Sequence, residues 1–120
     1  MTNRKPSSKP SSPKGGRSEN RLRLTKAASE DLAAIDAYGV ERFGEDAADE
    51  YIRGFHEAFA LLRAHPLAGA ERAELGRAIR CFVHMRHRLF YRVTGNEVLV
   101  IRIVHHAQDA RAAFRKAGAE

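Results

Sequence analysis

Arginines and histidines in the C-terminal half supply the residue types that chemistry on a phosphate requires. Arg80, Arg88 and Arg102 can hold a phosphate, and His87, His105 or His106 can exchange protons near neutral pH. The same stretch also reads as a recognition surface. Arg80, Phe82, Arg88, Phe90 and Arg92 interleave cations with aromatic rings, as interface hot spots and RNA-binding faces do, and Arg102 joins them as a sixth candidate for partner contact. A plainer reading packs Phe82 and Phe90 under a terminal helix while the arginine heads reach out to solvent. No metal or cofactor is expected. His56, His65, His84, His87, His105 and His106 form no helical i, i+4 pair and have no accompanying cysteine set. There is no glycine-rich phosphate loop after a strand and no Gly-x-Ser-x-Gly elbow.

These residues need a scaffold, and 120 residues suffice for one domain. Cys81 is the only cysteine, so no intrachain disulfide can form and a reducing cytoplasm is the expected location. Residues 1–20 contain no Val, Ile, Leu or Phe, so neither a signal peptide nor a membrane span is expected there, and the protein should be soluble. That segment is rich in Ser, Pro, Lys and Gly and is read as a disordered basic tail. It holds Arg4, Lys5, Lys9, Lys14 and Arg17 against Glu19, which is +4 of the chain's net +6. The folded unit, expected over 21–117, is therefore nearly balanced but sorted. Glu30 to Glu57 carries nine acids against Arg42 and Arg53, whereas Leu75 to Gln108 carries six arginines against Glu97. A basic C-terminal half suits an acidic protein segment or a nucleic acid.

Periodicity divides the folded unit into elements. Leu22 and Leu24 alternate in a short first strand, and Thr25 can cap the helix that follows. Leu32, Ile35, Gly39 and Phe43 recur at helical spacing up to Gly44, a suitable left-handed stop. Ala48, Tyr51, Ile52, Phe55, Phe59 and Leu62 mark a second helix, ended by Pro66, and the tight link makes the two helices antiparallel. After a loop from Pro66 to Gly76 the period falls to two. Ile79, Cys81, Val83 and Met85 alternate with Arg80, Phe82 and His84, and Leu89, Tyr91 and Val93 alternate with Arg88, Phe90 and Arg92. Val98 to Val104 reads as a central strand reached through a Gly95-Asn96 hairpin turn, and Asp109 caps a short terminal helix. The fold class is thus α+β. An N-terminal strand and an antiparallel helical hairpin pack on a mainly antiparallel sheet, with a short C-terminal helix. One sheet face is expected to be aliphatic and to meet the hairpin; the other is expected to present the arginines and phenylalanines to water or a partner, because burying unpaired guanidinium groups costs several kcal/mol each.

Several short motifs in order resemble the ParE-type toxins of type II toxin–antitoxin systems, within the RelE/ParE superfamily. They are Leu24-Thr25 with Ala28, Asp31-Leu32 and Ile35; Arg42-Phe43-Gly44; His65-Pro66-Leu67-Ala68-Gly69; Arg88-Leu89-Phe90-Tyr91-Arg92-Val93; and Val100-Ile101-Arg102-Ile103-Val104-His105. The resemblance spans roughly residues 21–115. It implies a β-α-α-β-β-β core, neutralisation by a cognate ParD-like antitoxin whose C-terminal segment wraps the toxin, and inhibition of DNA gyrase that blocks replication.

The related RelE branch cleaves messenger RNA on the ribosome. In a ribonuclease of that kind Arg80 and Arg102 would stabilise the phosphate and His105 would carry protons. RelE-like enzymes generally show a lysine-rich site and a tyrosine near the chain end. Here the folded part has only Lys26 and Lys116, Tyr91 is the last tyrosine, and Arg111-Ala112-Ala113-Phe114 stands where that tyrosine would lie. This departure favours the non-catalytic, ParE-like reading, in which His105 is expected to orient the terminal segment by hydrogen bonding.

Overall fold

The computed structural model describes residues 20–117, so the expected disordered basic tail lies, apart from Asn20, outside the described residues. The elements run β1 (Arg21–Leu24), α1 (Lys26–Phe43), α2 (Glu45–Ala64), β2 (Ala70–Glu71), a 3-10 turn (Ala73–Leu75), β3 (Ile79–His84), β4 (His87–Thr94), β5 (Glu97–His105) and α3 (Ala110–Ala117). The sheet order is β1-β5-β4-β3-β2, with β1 parallel to β5 and every other pair antiparallel. The expected α+β architecture is the one observed.

Local chemistry accounts for the joints. Thr25 is fully buried: its hydroxyl accepts from the Ala28 N–H at 3.0 Å and donates to the Ile101 carbonyl at 2.8 Å. One side chain therefore starts α1 and fastens it to the central strand. Gly44 alone joins α1 to α2, with φ 91° and ψ 167°, a region essentially reserved for glycine. Between β4 and β5, positive φ at Gly95 but not at Asn96 is the type II′ pattern, which matches strand twist.

Both faces of the sheet are covered. On one, Phe55, Ala58, Phe59 and Leu62 of α2 meet Leu89, Tyr91, Val98, Val100 and Ile103, with Phe82 and Val93 packed alongside. On the other, Ala110 and Ala113 of α3 close over Ile79, Cys81, Phe90, Ile101 and Val104. The expectation that Arg80, Phe82, Arg88, Phe90 and Arg92 share one open face is therefore corrected in two ways. Arg80 pairs with Tyr91 and Phe82 with Leu89, which puts them on the helical-hairpin side; Arg88, Phe90 and Arg92 lie opposite. The second face is also a second core, in which fully buried Phe90 meets Phe114 edge-on at 5.5 Å. Met85, assigned by alternation to the aliphatic face, instead sits exposed in the β3–β4 turn with φ 55°. A bulge adds one residue to β5 opposite Phe90 and Tyr91, so Ile101 and Arg102 both fall on the α3 side.

Candidate functional site

The candidate arginines are held by the protein's own acceptors. Arg102 makes a two-pronged pair with Asp31 of α1, with Nε to Oδ2 and Nη2 to Oδ1 both at 2.7 Å. Its third nitrogen donates to the Ala113 carbonyl at 2.6 Å, while the Ile103 N–H donates to the same carboxylate at 2.9 Å. The hydrogen bond and charge of Asp31 hold the guanidinium above its already high pKa. Arg80 donates to the Leu67 and Gly69 carbonyls at 3.2 and 2.5 Å and pairs with Glu71 at 3.3 Å, leaving its side chain 18% exposed. Arg88 reaches the His106 and Gln108 carbonyls at 3.3 and 2.8 Å across the Phe90 ring, and Arg92 donates to the Arg77 carbonyl at 3.3 Å.

Arg80, Arg102 and His105 do not converge. Arg102 faces α3 and Arg80 faces the helical hairpin. His105 pairs with His87, four residues along β4 from Tyr91, the partner of Arg80. That is about 13 Å along the strand and two strand spacings across, too far to share one phosphate. Instead His105 organises the turn before α3: its N–H donates to Gln108 Oε1 at 3.0 Å, and its Nδ1 accepts from the Ala107 N–H at 3.1 Å.

The histidines gather at that end of the sheet. His87 packs edge-on against Phe55 and against His105, at 5.6 and 5.3 Å between ring centres. Its Nδ1 lies 2.8 Å from the Tyr51 hydroxyl. Burial first, then the neighbouring imidazoles of His105, His84 and His106, draw the His87 pKa down to about 4, so the ring is neutral at pH 7. Among the described residues no group of three or more His, Cys, Asp and Glu could hold a metal ion, and no helix is long and apolar enough to cross a membrane. Burial pushes the Cys81 thiol up, which keeps it a packing residue.

A groove open to solvent runs beside β1. It encloses about 550 Å³ between the first strand and the hairpin, lined by Leu22, Leu24, Leu32 and Phe59, with Arg21 and Arg63 at its rim. Among the described residues β1 is the outermost strand and has a neighbour on one side only, so the groove borders a sheet edge. The arginine pattern did not indicate this site. Its one signal in the sequence is the apolar pair Leu22 and Leu24 in a strand too short to be buried on both sides.

The fold and this groove define a small α+β protein of the kind built around a helical hairpin, a five-stranded sheet and an open edge. Residues 22–110 match the family described as the ParE toxin of the type II toxin-antitoxin system parDE. A protein named Toxin ParE1 from Caulobacter vibrioides is 33% identical over 90 residues, covering 75% of this chain and 93% of its own. A protein of the same name from Mycobacterium tuberculosis is 33% identical over 91 residues, again covering 75% and 93%. Among solved structures, a chain from the chromosomal ParDE system of P. aeruginosa superposes with a TM-score of 0.62 at 25% identity, covering 72% of this chain and 96% of that one. One from the RelBE2 toxin–antitoxin complex of Mycobacterium tuberculosis gives 0.50 at 24%, covering 72% and 98%, a likeness of fold. This chain belongs to the ParE toxin family of type II toxin–antitoxin systems.

Proposed function

We propose that this toxin acts in the cytoplasm by binding and inhibiting DNA gyrase, without catalysis of its own, and that a cognate ParD-like antitoxin holds it inactive. The observation that carries this reading is the engagement of Arg80 and Arg102. Their guanidinium groups are spent on Gly69, Glu71, Asp31 and Ala113, and His105 stands apart from both, so no assembled phosphate site supports RNA cleavage. Family membership supports the same reading.

Antitoxin docking is better served by the β1 groove than by the arginine pattern. A segment with apolar anchors for Leu22, Leu24 and Phe59, and a carboxylate for Arg21, fits its chemistry. The adjacent strand edge can accept backbone hydrogen bonds from the same segment. Phe90 is fully buried and so has no surface to offer a partner. Arg92, half-buried and held by one backbone carbonyl, keeps most capacity for a partner.

The purified chain should inhibit gyrase supercoiling or accumulate cleaved DNA, and should leave translating messenger RNA intact. Ribosome-dependent messenger cleavage with gyrase untouched would overturn the proposal. In that case His105→Gln should abolish the cleavage while the domain stays folded.

A further inference from the structure

The far end of the helical hairpin buries few of its side chains. Between Asp36 and Glu50 Ala48 alone is buried, and it packs against Gly39, where an added Cβ would stand 3.2 Å from that of Ala48. The end of the hairpin is thus held by a close helix-to-helix contact that frees the outward side chains. Tyr38 and Phe43 are 56% and 68% exposed, and Val40 on the same end of α1 is 37% exposed. Glu41, Glu45, Asp46, Asp49 and Glu50 are exposed on the same tip, against the single cation Arg42, whose guanidinium lies over the Tyr38 ring at 5.4 Å. Exposed aromatic rings on a rigid element, ringed by charge of one sign, are the makings of an interface with a surface of opposite charge.

We propose that this acidic, aromatic hairpin tip is the surface with which the toxin grips its target, and that it seats on the cationic DNA-binding surface of gyrase. The inference rests on the gyrase reading above and deepens it. An enzyme that handles duplex DNA must offer a positively charged surface to the phosphates. Five exposed carboxylates within ten residues complement such a surface and repel DNA itself, while Tyr38 and Phe43 supply the apolar anchors. The tip is also separate from the β1 groove. Phe59 in the groove and Asp46 at the tip are thirteen residues apart on α2, about 20 Å of helix rise, so the two surfaces can be altered independently.

Two variants test the assignment with the intact chain: Phe43→Ala combined with Tyr38→Ala, and Glu41→Lys combined with Asp49→Lys. All four positions are exposed, so melting temperature and co-purification with the antitoxin should match the wild type. The concentration needed for half-inhibition of supercoiling should rise about tenfold or more in each, the size of a lost interface anchor. Wild-type inhibition matched within about twofold by both variants would overturn the tip assignment and leave the gyrase reading standing. A wild-type chain with no effect on gyrase would instead overturn that reading, and this inference with it.

Discussion

The Tyr91 hydroxyl is a buried crosspiece: it donates to the Pro66 carbonyl at 2.7 Å and accepts from the Gly69 N–H at 2.8 Å. Tyr91→Phe keeps the ring and strands two backbone groups of the β2 loop, so unfolding free energy should fall by about 1–3 kcal/mol in urea titration. Gly69→Ala should cost more than that. Its Cβ would stand 2.7 Å from both the Cys81 carbonyl oxygen and the Tyr91 hydroxyl, and the former is backbone that cannot swing away. Equal or smaller loss in the alanine variant would show that the loop is not fixed by this close approach. His87 adds a pH dependence of definite sign. Its folded pKa of about 4, set by burial and then by neighbouring imidazoles, lies below the ordinary value of 6.5, so between those limits the unfolded chain binds more protons. Its contribution is complete above pH 6.5, shrinks as pH falls, and is lost by about pH 4. His84 shifts in the same direction, mainly through burial. Unfolding followed from pH 7 to pH 5 should show a loss of stability that His87→Gln reduces; identical slopes in the two proteins would contradict the account.

At the scale of elements, Asp31 and Arg102 join α1, β5 and α3 at one point, and both side chains are mostly buried, 16% and 13% exposed. Removing one partner leaves a charge or its hydrogen-bonding groups unmatched, so Asp31→Ala should destabilise by about 3 kcal/mol or more. The double variant Asp31→Leu with Arg102→Met should recover part of that loss, because no charge is then left buried. A double variant weaker than the sum of the two single changes would argue against the pair. Most elements of this frame were legible in the sequence, because Leu32, Phe55, Phe59, Leu89 and Tyr91 state their periods locally and Gly44 and Gly95 mark the links. The faces of β3 were not legible from alternation alone. A two-residue turn at Met85 and Arg86 pairs His84 with His87, and hence Arg80 with Tyr91; a turn one residue longer would have paired Arg80 with Arg92, and one residue shorter with Phe90, either way on the expected face. The bulge at Ile101 and the parallel pairing of β1 with β5 are likewise set by contacts remote in sequence. The same holds for the arginines, whose acceptors are carbonyls and two carboxylates 9 to 71 positions away, so a list of cations could not show which were engaged. In the sequence Asp31 entered through the family resemblance, Tyr91 through strand alternation and Arg102 as a candidate for phosphate or partner contact; in the structure all three are braces of the fold.

Over the whole molecule, charge is divided by segment rather than spread evenly. The first twenty residues contribute +4 and the other hundred +2, and within the latter the hairpin is acidic while the sheet is rich in arginine. Any sequence-independent attraction to duplex DNA should therefore come from the N-terminal cations, since the acidic hairpin repels phosphate and the sheet arginines are largely engaged. The Asn20 N–H donates to the Arg63 carbonyl at 3.0 Å, which ties the start of β1 to α2. A chain beginning at Asn20 should fold with the same melting temperature, bind antitoxin and inhibit gyrase as the full chain does. Its binding to random duplex DNA should weaken, and the slope of log K against log salt should become shallower by up to about 4, from the five cations removed. An unchanged salt slope would place the phosphate contacts on the folded unit, on the arginine side of the sheet. Loss of gyrase inhibition together with the tail would mean that the cations steer the toxin to the DNA already held by its target, and that the hairpin tip alone does not select it.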